Sequence, residues 1–261
     1  DESSTLSSDL LLGGSAKIYV AQGKTLSYSG TALSLGENTL TLTGGGTLSN
    51  TNSLTLENAS SVLKLTGPNT VSGPIALTSG KLDIDEDSAI SGVIVQGGSA
   101  SIDVAQDKTL TYSGAAISLG AYTLTLTGGG TLSNTNSLTL GDSSSLLKVT
   151  GLNTVTGPIS LTSGTLDIDE DSAISGAIVQ GGPASIDVAS GKTLTYSGAA
   201  ISLGEHALTL TGGGALSNTN SLTLGDPSSV LKVTGPNTVS GPIALTSGTL
   251  DIDEDSVISG V

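Results

Sequence analysis

The sequence has no cysteine, methionine, tryptophan or phenylalanine, and its basic residues are eight lysines with no arginine. The missing cysteines exclude disulfide frameworks, thiol catalysis, Cys-based zinc sites and haem attachment. The lysines are spread over Lys17, Lys24, Lys64, Lys81, Lys108, Lys148, Lys192 and Lys232. Phosphate neutralisation needs clustered positive charge and base stacking needs aromatic platforms, so a nucleic-acid partner is not expected. No apolar run approaches the ~18 residues of a membrane-spanning helix. The start Asp1-Glu2-Ser3-Ser4 lacks the basic region and apolar core of a signal peptide, so no membrane insertion is expected and any export signal would lie outside this chain. Charged residues make up 12%, about half the usual share of roughly 25%.

What is present is Leu, Val, Ile and Ala among Ser, Thr and 37 glycines, with a net charge of −15 over 261 residues. The segment Thr43-Gly44-Gly45-Gly46 returns at Thr127 and Thr211, and the acidic segment Leu82-Asp83-Ile84-Asp85-Glu86-Asp87-Ser88 returns at Leu166 and Leu250. Both recur at an offset of 84 (127 − 43 and 211 − 127; 166 − 82 and 250 − 166). The chain therefore reads as a single domain of three repeats, 10–93, 94–177 and 178–261, preceded at 1–9 by the tail of a further repeat. That tail, Asp1 to Asp9, aligns with Asp85 to Val93.

Within one repeat, Ser followed by Leu or Ile anchors a shorter rhythm at Leu119, Leu138, Leu161, Ile186 and Leu203, with spacings of 19, 23, 25 and 17 that average 21. Around these anchors apolar and small polar residues alternate, as in Thr123-Leu124-Thr125-Leu126-Thr127, and Gly, Pro, Asn and Ser interrupt the runs. Period-two alternation over short stretches predicts strands and turns, with no helices. Roughly 21 residues suit three short strands and three turns, one circuit of a β-solenoid. The expected fold is an all-β, right-handed parallel β-helix of about twelve coils. At about 4.8 Å per coil it would extend ~60 Å. Neither end reads as a polar cap, so either the chain continues a longer array or copies stack end to end into a filament.

The run Gly67-Pro68-Asn69-Thr70-Val71-Ser72-Gly73 followed by Gly80 and Leu82 resembles the autotransporter passenger-associated repeat of bacterial surface proteins. Matching positions recur at Gly151, Asn153, Thr154, Gly157, Gly164 and Leu166, and at Gly235, Asn237, Thr238, Gly241, Gly248 and Leu250. The resemblance covers about a third of each repeat. Val71, Val155 and Val239 stand where the family has an aromatic residue, and these 261 residues do not themselves include a translocator barrel. It implies a right-handed β-helix displayed on or shed from a bacterial surface, as an adhesin or a stalk.

The candidate chemistry lies in the acidic segments. With Leu82 and Ile84 facing inward, Asp83 and Asp85 face outward about 6.8 Å apart, and Asp87 continues the line if the strand does. Calcium takes six to eight oxygens, so Asp83, Asp85 and Asp87, Asp167, Asp169 and Asp171, and Asp251, Asp253 and Asp255 are candidate ligands. Ser88 and Ile94 replace the glycine and glutamate of an EF-hand loop, so the segment is not one. The plainer reading is a solvated acidic stripe that discourages sideways strand pairing, or a surface for cells or polymers. Catalysis is not expected, because the carboxylates occur in three identical sets whereas an active site is singular. Tyr28, Tyr112 and Tyr196 are repeat equivalents expected at turns or on the surface. His206 replaces Asn38 and Tyr122 of the other repeats and reads as a surface turn residue. The glycine triplets lack the Lys-Ser/Thr of a phosphate loop and read as turns. Threonine rows of the ice-ordering kind come only once per four coils, so a regular lattice is not expected. The expected protein is an extracellular structural or adhesive rod, with a calcium- or ligand-binding module as the alternative.

Overall fold

The computed structural model describes residues 2–260. Asp1 and Val261, which bound the 1–9 tail and the 178–261 repeat, lie outside the described residues. The chain folds as a parallel β-solenoid of about twelve coils, with no helix among the described residues. A coil places one strand in each of three ladders, except that the coil of Ser4–Leu6 and Ala16–Tyr19 has none in the second, which is divided into three sheets. In one coil the chain runs from Thr47–Asn50 in the first ladder through Leu54–Leu56 in the second to Val62–Leu65 in the third.

By internal contacts the chain divides into two compact units, 1–117 with 124–136 and 118–123 with 137–261, and neither boundary falls between repeats. In the first unit the first ladder includes Thr25–Tyr28, Thr47–Asn50, Thr70–Val71, Ser88–Ile90 and Thr109–Tyr112. Its second ladder holds Leu33–Ser34, Leu54–Leu56, Ile75–Leu77 and Ile94–Gln96, and its third includes Thr39–Thr43, Val62–Leu65, Lys81–Ile84 and Ala100–Val104. The second unit repeats the plan, with Leu146–Val149, Thr165–Ile168, Ala184–Val188, Ala207–Thr211, Val230–Val233 and Thr249–Ile252 in its third ladder.

The alternation in sequence sets the burial. Along Thr39–Thr43 the leucines are buried and the threonines half-buried, and the same pattern holds in Thr123–Thr127. Register then stacks like on like: Leu40, Leu63, Leu82 and Ile102 form one inward column, and Leu54, Ile75 and Ile94 another. Each fully buried aliphatic contributes about 1.5–3 kcal/mol relative to exposure. Partners lie 19 residues apart at Leu63 and Leu82 but 24 apart at Ala16 and Leu40. The turns absorb that difference. The Ser-Leu/Ile anchors of the sequence mix ladders: Leu138 and Leu161 belong to the second ladder and Ile186 to the third, so their spacings do not measure single coils.

The corners explain the small residues. A Cβ on Gly92 would lie 1.8 Å from the Gly73 carbonyl oxygen, and the Gly176 and Gly157 pair repeats this contact. Only glycine allows the backbones to approach so closely. Gly44 and Gly45 adopt φ of 96° and 80°, the left-handed region that closes the triplet turn. Buried Asn50 donates from Nδ2 to the carbonyls of Asn52 at 2.8 Å and Pro74 at 2.9 Å, tying one coil's corner to the next.

The tyrosines correct an expectation. Tyr28, Tyr112 and Tyr196 are not surface residues: they are 2%, 0% and 0% exposed. Tyr112 stacks in register on Ile90, so its ring fills the aliphatic column. Its hydroxyl accepts from the Ile94 N–H at 3.2 Å and donates to the Ala115 carbonyl at 2.6 Å. Tyr196 does the same with Ile178 and Ala199. A ring fits the thin core because its polar tip is satisfied at the corner.

Candidate functional site

The acidic segments begin on third-ladder strands. In Lys81–Ile84 the side chains of Leu82 and Ile84 are buried and Asp83 points outward. The strand stops at Ile84, and this turns Asp87 away from the line of Asp83 and Asp85. Asp87 Oδ1 instead accepts the Thr109 N–H at 2.8 Å, and Asp171 accepts that of Thr193 at 2.7 Å. Asp255, the third copy, is exposed.

Asp83 and Asp85 converge on a lysine. Lys64 is the register partner of Asp83 on the preceding coil, and its Nζ lies 2.8 Å from both carboxylates. Lys148 stands at 2.7 and 2.6 Å from Asp167 and Asp169, and Lys232 at 3.5 and 2.8 Å from Asp251 and Asp253. An ammonium group thus sits between the two carboxylates that a calcium ion would share. No group of three or more His, Cys, Asp or Glu side chains with metal-holding geometry occurs among the described residues. Further along, Lys108 pairs with Glu86 and Lys192 with Glu170.

The electrostatics follow from these contacts. Burial works to lower the Lys64 pKa, but the hydrogen bonds to Asp83 and Asp85 outweigh it and hold the group above its ordinary value. Hydrogen bonds to Asp167 and Asp169 raise that of Lys148. Asp167 is itself raised, by burial first and then by the like charges of Asp169 and Asp187, against the pull of Lys148. The pairs are half-exposed, so each is worth about 0–1 kcal/mol in salt. Chemically, the arrangement is a row of ion pairs between adjacent coils, with no nucleophile and base set against each other.

In the sequence the lysines look scattered, yet six of them, Lys64, Lys81, Lys108, Lys148, Lys192 and Lys232, pair with carboxylates of the acidic segments. The signal was a coil length: Lys64, Lys148 and Lys232 each stand 19 residues before an outward aspartate. The other candidates stay apart from these sites. His206 lies in the turn after Ile201–Ser202, where its N–H bonds the Leu203 carbonyl. On the first ladder Thr25, Thr47 and Thr70 stand side by side, and Ala89 interrupts the column before Thr111. Shallow depressions flank these columns, one lined by Pro68, Thr70, Asp87, Ala89, Thr109 and Thr111 and its repeat counterpart by Leu152, Thr154, Asp171, Ala173, Thr193 and Thr195.

No family model, curated protein or solved structure matches this sequence. The structure shows a parallel β-solenoid, and no comparison identifies its repeats as those of the autotransporter passenger.

Proposed function

We propose that this chain is a non-catalytic, extracellular structural module: a stiff right-handed β-solenoid rod or filament segment of a bacterial surface, acting as a stalk, fibre or adhesin passenger. One observation carries the reading. Lysines on one coil pair with carboxylates of the acidic segments on the next, as Lys64 does with Asp83 and Asp85 and Lys148 with Asp167 and Asp169, so this surface chemistry ties neighbouring coils together. Backbone ladders, aliphatic columns and coil-to-coil ion pairs all act along the same direction, as a load-bearing repeat requires. The absence of cysteine and methionine suits an oxidising exterior. The partner is a further coil of the same kind, from a second copy or a continuing array, laid over the exposed Leu245, Ile252 and Val257.

The test is electron microscopy of the purified chain with and without a calcium chelator. Uniform narrow particles or fibres that ignore the chelator support the structural reading. Globular particles, or fibres that dissolve on chelation, overturn it in favour of a compact or ion-bound module.

A further inference from the structure

Asp226-Pro227 is the only Asp-Pro pair in the sequence, and it stands where the other repeats have Asn58-Ala59 and Asp142-Ser143. Such a bond is chemically distinctive. Proline supplies a tertiary amide whose nitrogen is a better leaving group once protonated, and the aspartate carries a carboxylate one bond from the backbone carbonyl. We propose that Asp226–Pro227 is a self-cleavage site, promoted by the turn in which the solenoid holds it.

The turn lies between Leu222–Leu224 and Val230–Val233, and Pro227 is exposed, so water and protons reach it. Asp226 Oδ1 accepts the Ser228 N–H at 2.8 Å. The ring closed by this bond contains the Asp226–Pro227 peptide itself, so the bond restrains the carboxylate to the turn that carries the scissile peptide. The Asp226 carbonyl oxygen accepts the Ser229 N–H at 3.0 Å, and the Ser229 hydroxyl lies within bonding distance at 2.8 Å. The Gly204 carbonyl at 2.7 Å competes for the single proton of that buried hydroxyl, so the Ser229 N–H is the standing donor and the hydroxyl can turn to the Asp226 oxygen as charge develops there. Donors on the carbonyl oxygen stabilise the charge that develops there during attack, as in an oxyanion hole.

The step balances without an oxidant or cofactor. A carboxylate oxygen of Asp226 bonds to the Asp226 carbonyl carbon. The carbon–nitrogen bond to Pro227 breaks as that nitrogen takes a proton, leaving a cyclic anhydride. Water then opens the anhydride to two carboxylates, so the net reaction is peptide hydrolysis. Acid drives it, because the leaving nitrogen must be protonated. The turn packed against Asp226 carries Glu205 and His206 as its titratable groups, linked through the Val230 N–H to the His206 carbonyl at 3.1 Å. The turn on the other side, around Ser247 and Gly248, carries none.

The test incubates the full chain in buffers from acidic to neutral, natively and in urea, and identifies products by denaturing electrophoresis and mass spectrometry. Denaturing conditions are needed because the ladders would hold a nicked chain together. The expected result is two fragments, 1–226 and 227–261, formed faster natively than in urea, with Asp142–Ser143 intact. Pro227→Ser installs the residue of the second repeat, so the fold is kept while cleavage slows by at least about tenfold, 1.4 kcal/mol in barrier. Asp226→Asn abolishes cleavage through the anhydride. No fragments, equal cutting at Asp142–Ser143, or the same rate in urea would each overturn the proposal.

Discussion

The acidic segments of the first and second repeats share a backbone and differ in one outward residue. In the first, Lys81 bridges Asp83 at 3.6 Å and Asp103 at 3.1 Å, so Lys64 and Lys81 thread three carboxylates into one network. In the second, Thr165 holds the place of Lys81, and Asp187 has no ion pair among the described residues. Asp167 and Asp187 are register partners across the second and third repeats, as Asp83 and Asp103 are across the first and second. Both repeats keep the same strands, the same buried leucine and the same lysine one coil back. The fold is thus set by what points inward. The outer face can lose a compensating charge and keep its geometry, because a half-exposed ion pair is worth far less than a buried leucine.

The largest test of this equivalence is Leu82→Ala against Leu166→Ala. Both residues are fully buried, so each substitution should cost about 2–5 kcal/mol by urea unfolding, and the two costs should agree despite the different charges above them. Unequal costs would mean that the outer network shapes the core. Next come Tyr112→Phe and Tyr196→Phe. Removing the hydroxyl leaves the buried N–H of Ile94 or Ile178 without its acceptor, at about 1–3 kcal/mol. Hydrogen exchange at those two amides should rise in step.

How much of this was legible beforehand follows from which residues speak through periodicity. Leu40, Leu82 and Ile102 alternate with polar neighbours, so strands and inward faces could be read directly. The lysine in each acidic site could not, because Lys64 is far from Asp83 in sequence and meets it only through a 19-residue coil. That offset was present three times over. Recovering it required strand register, which the Ser-Leu anchors obscured by mixing two ladders. The tyrosines misled for another reason: a phenol reads as a turn or surface residue, and only the corner carbonyl of Ala115 shows how a buried hydroxyl is satisfied.

A smaller effect separates the same two repeats at a turn. Asp107 adopts φ of 61°, while its counterparts Gly23 and Gly191 adopt 73° and 75°. Left-handed backbone strains any residue with a Cβ, so Asp107→Gly should stabilise the second repeat's turn by up to about 1 kcal/mol. Gly23→Asp should cost a similar amount, as read from paired denaturation midpoints. Failure of both changes to move stability in opposite directions would show that the aspartate has local bonds that offset its strain.

The smallest effect addresses the charge difference itself. Thr165→Lys should place an ammonium beside Asp167 and Asp187, as Lys81 lies beside Asp83 and Asp103, and gain about 0.2–1 kcal/mol at neutral pH. Lys81→Thr should lose a similar amount. The sign with pH follows from Asp167, whose pKa is raised by burial and by its acidic neighbours. A raised carboxyl binds its proton more tightly in the folded chain than in the unfolded one. Its favourable contribution is therefore complete below the ordinary carboxylate range and fades as pH rises through the folded value. The new lysine favours the ionised form and pulls Asp167 back down. The advantage of Thr165→Lys should accordingly be full above the carboxylate range, vanish on acidification, and shrink with added salt. NMR titration of Asp167 in both proteins measures this. An unchanged titration beside a stabilised fold would assign the gain to packing of the lysine stem and remove charge from the comparison of the two repeats.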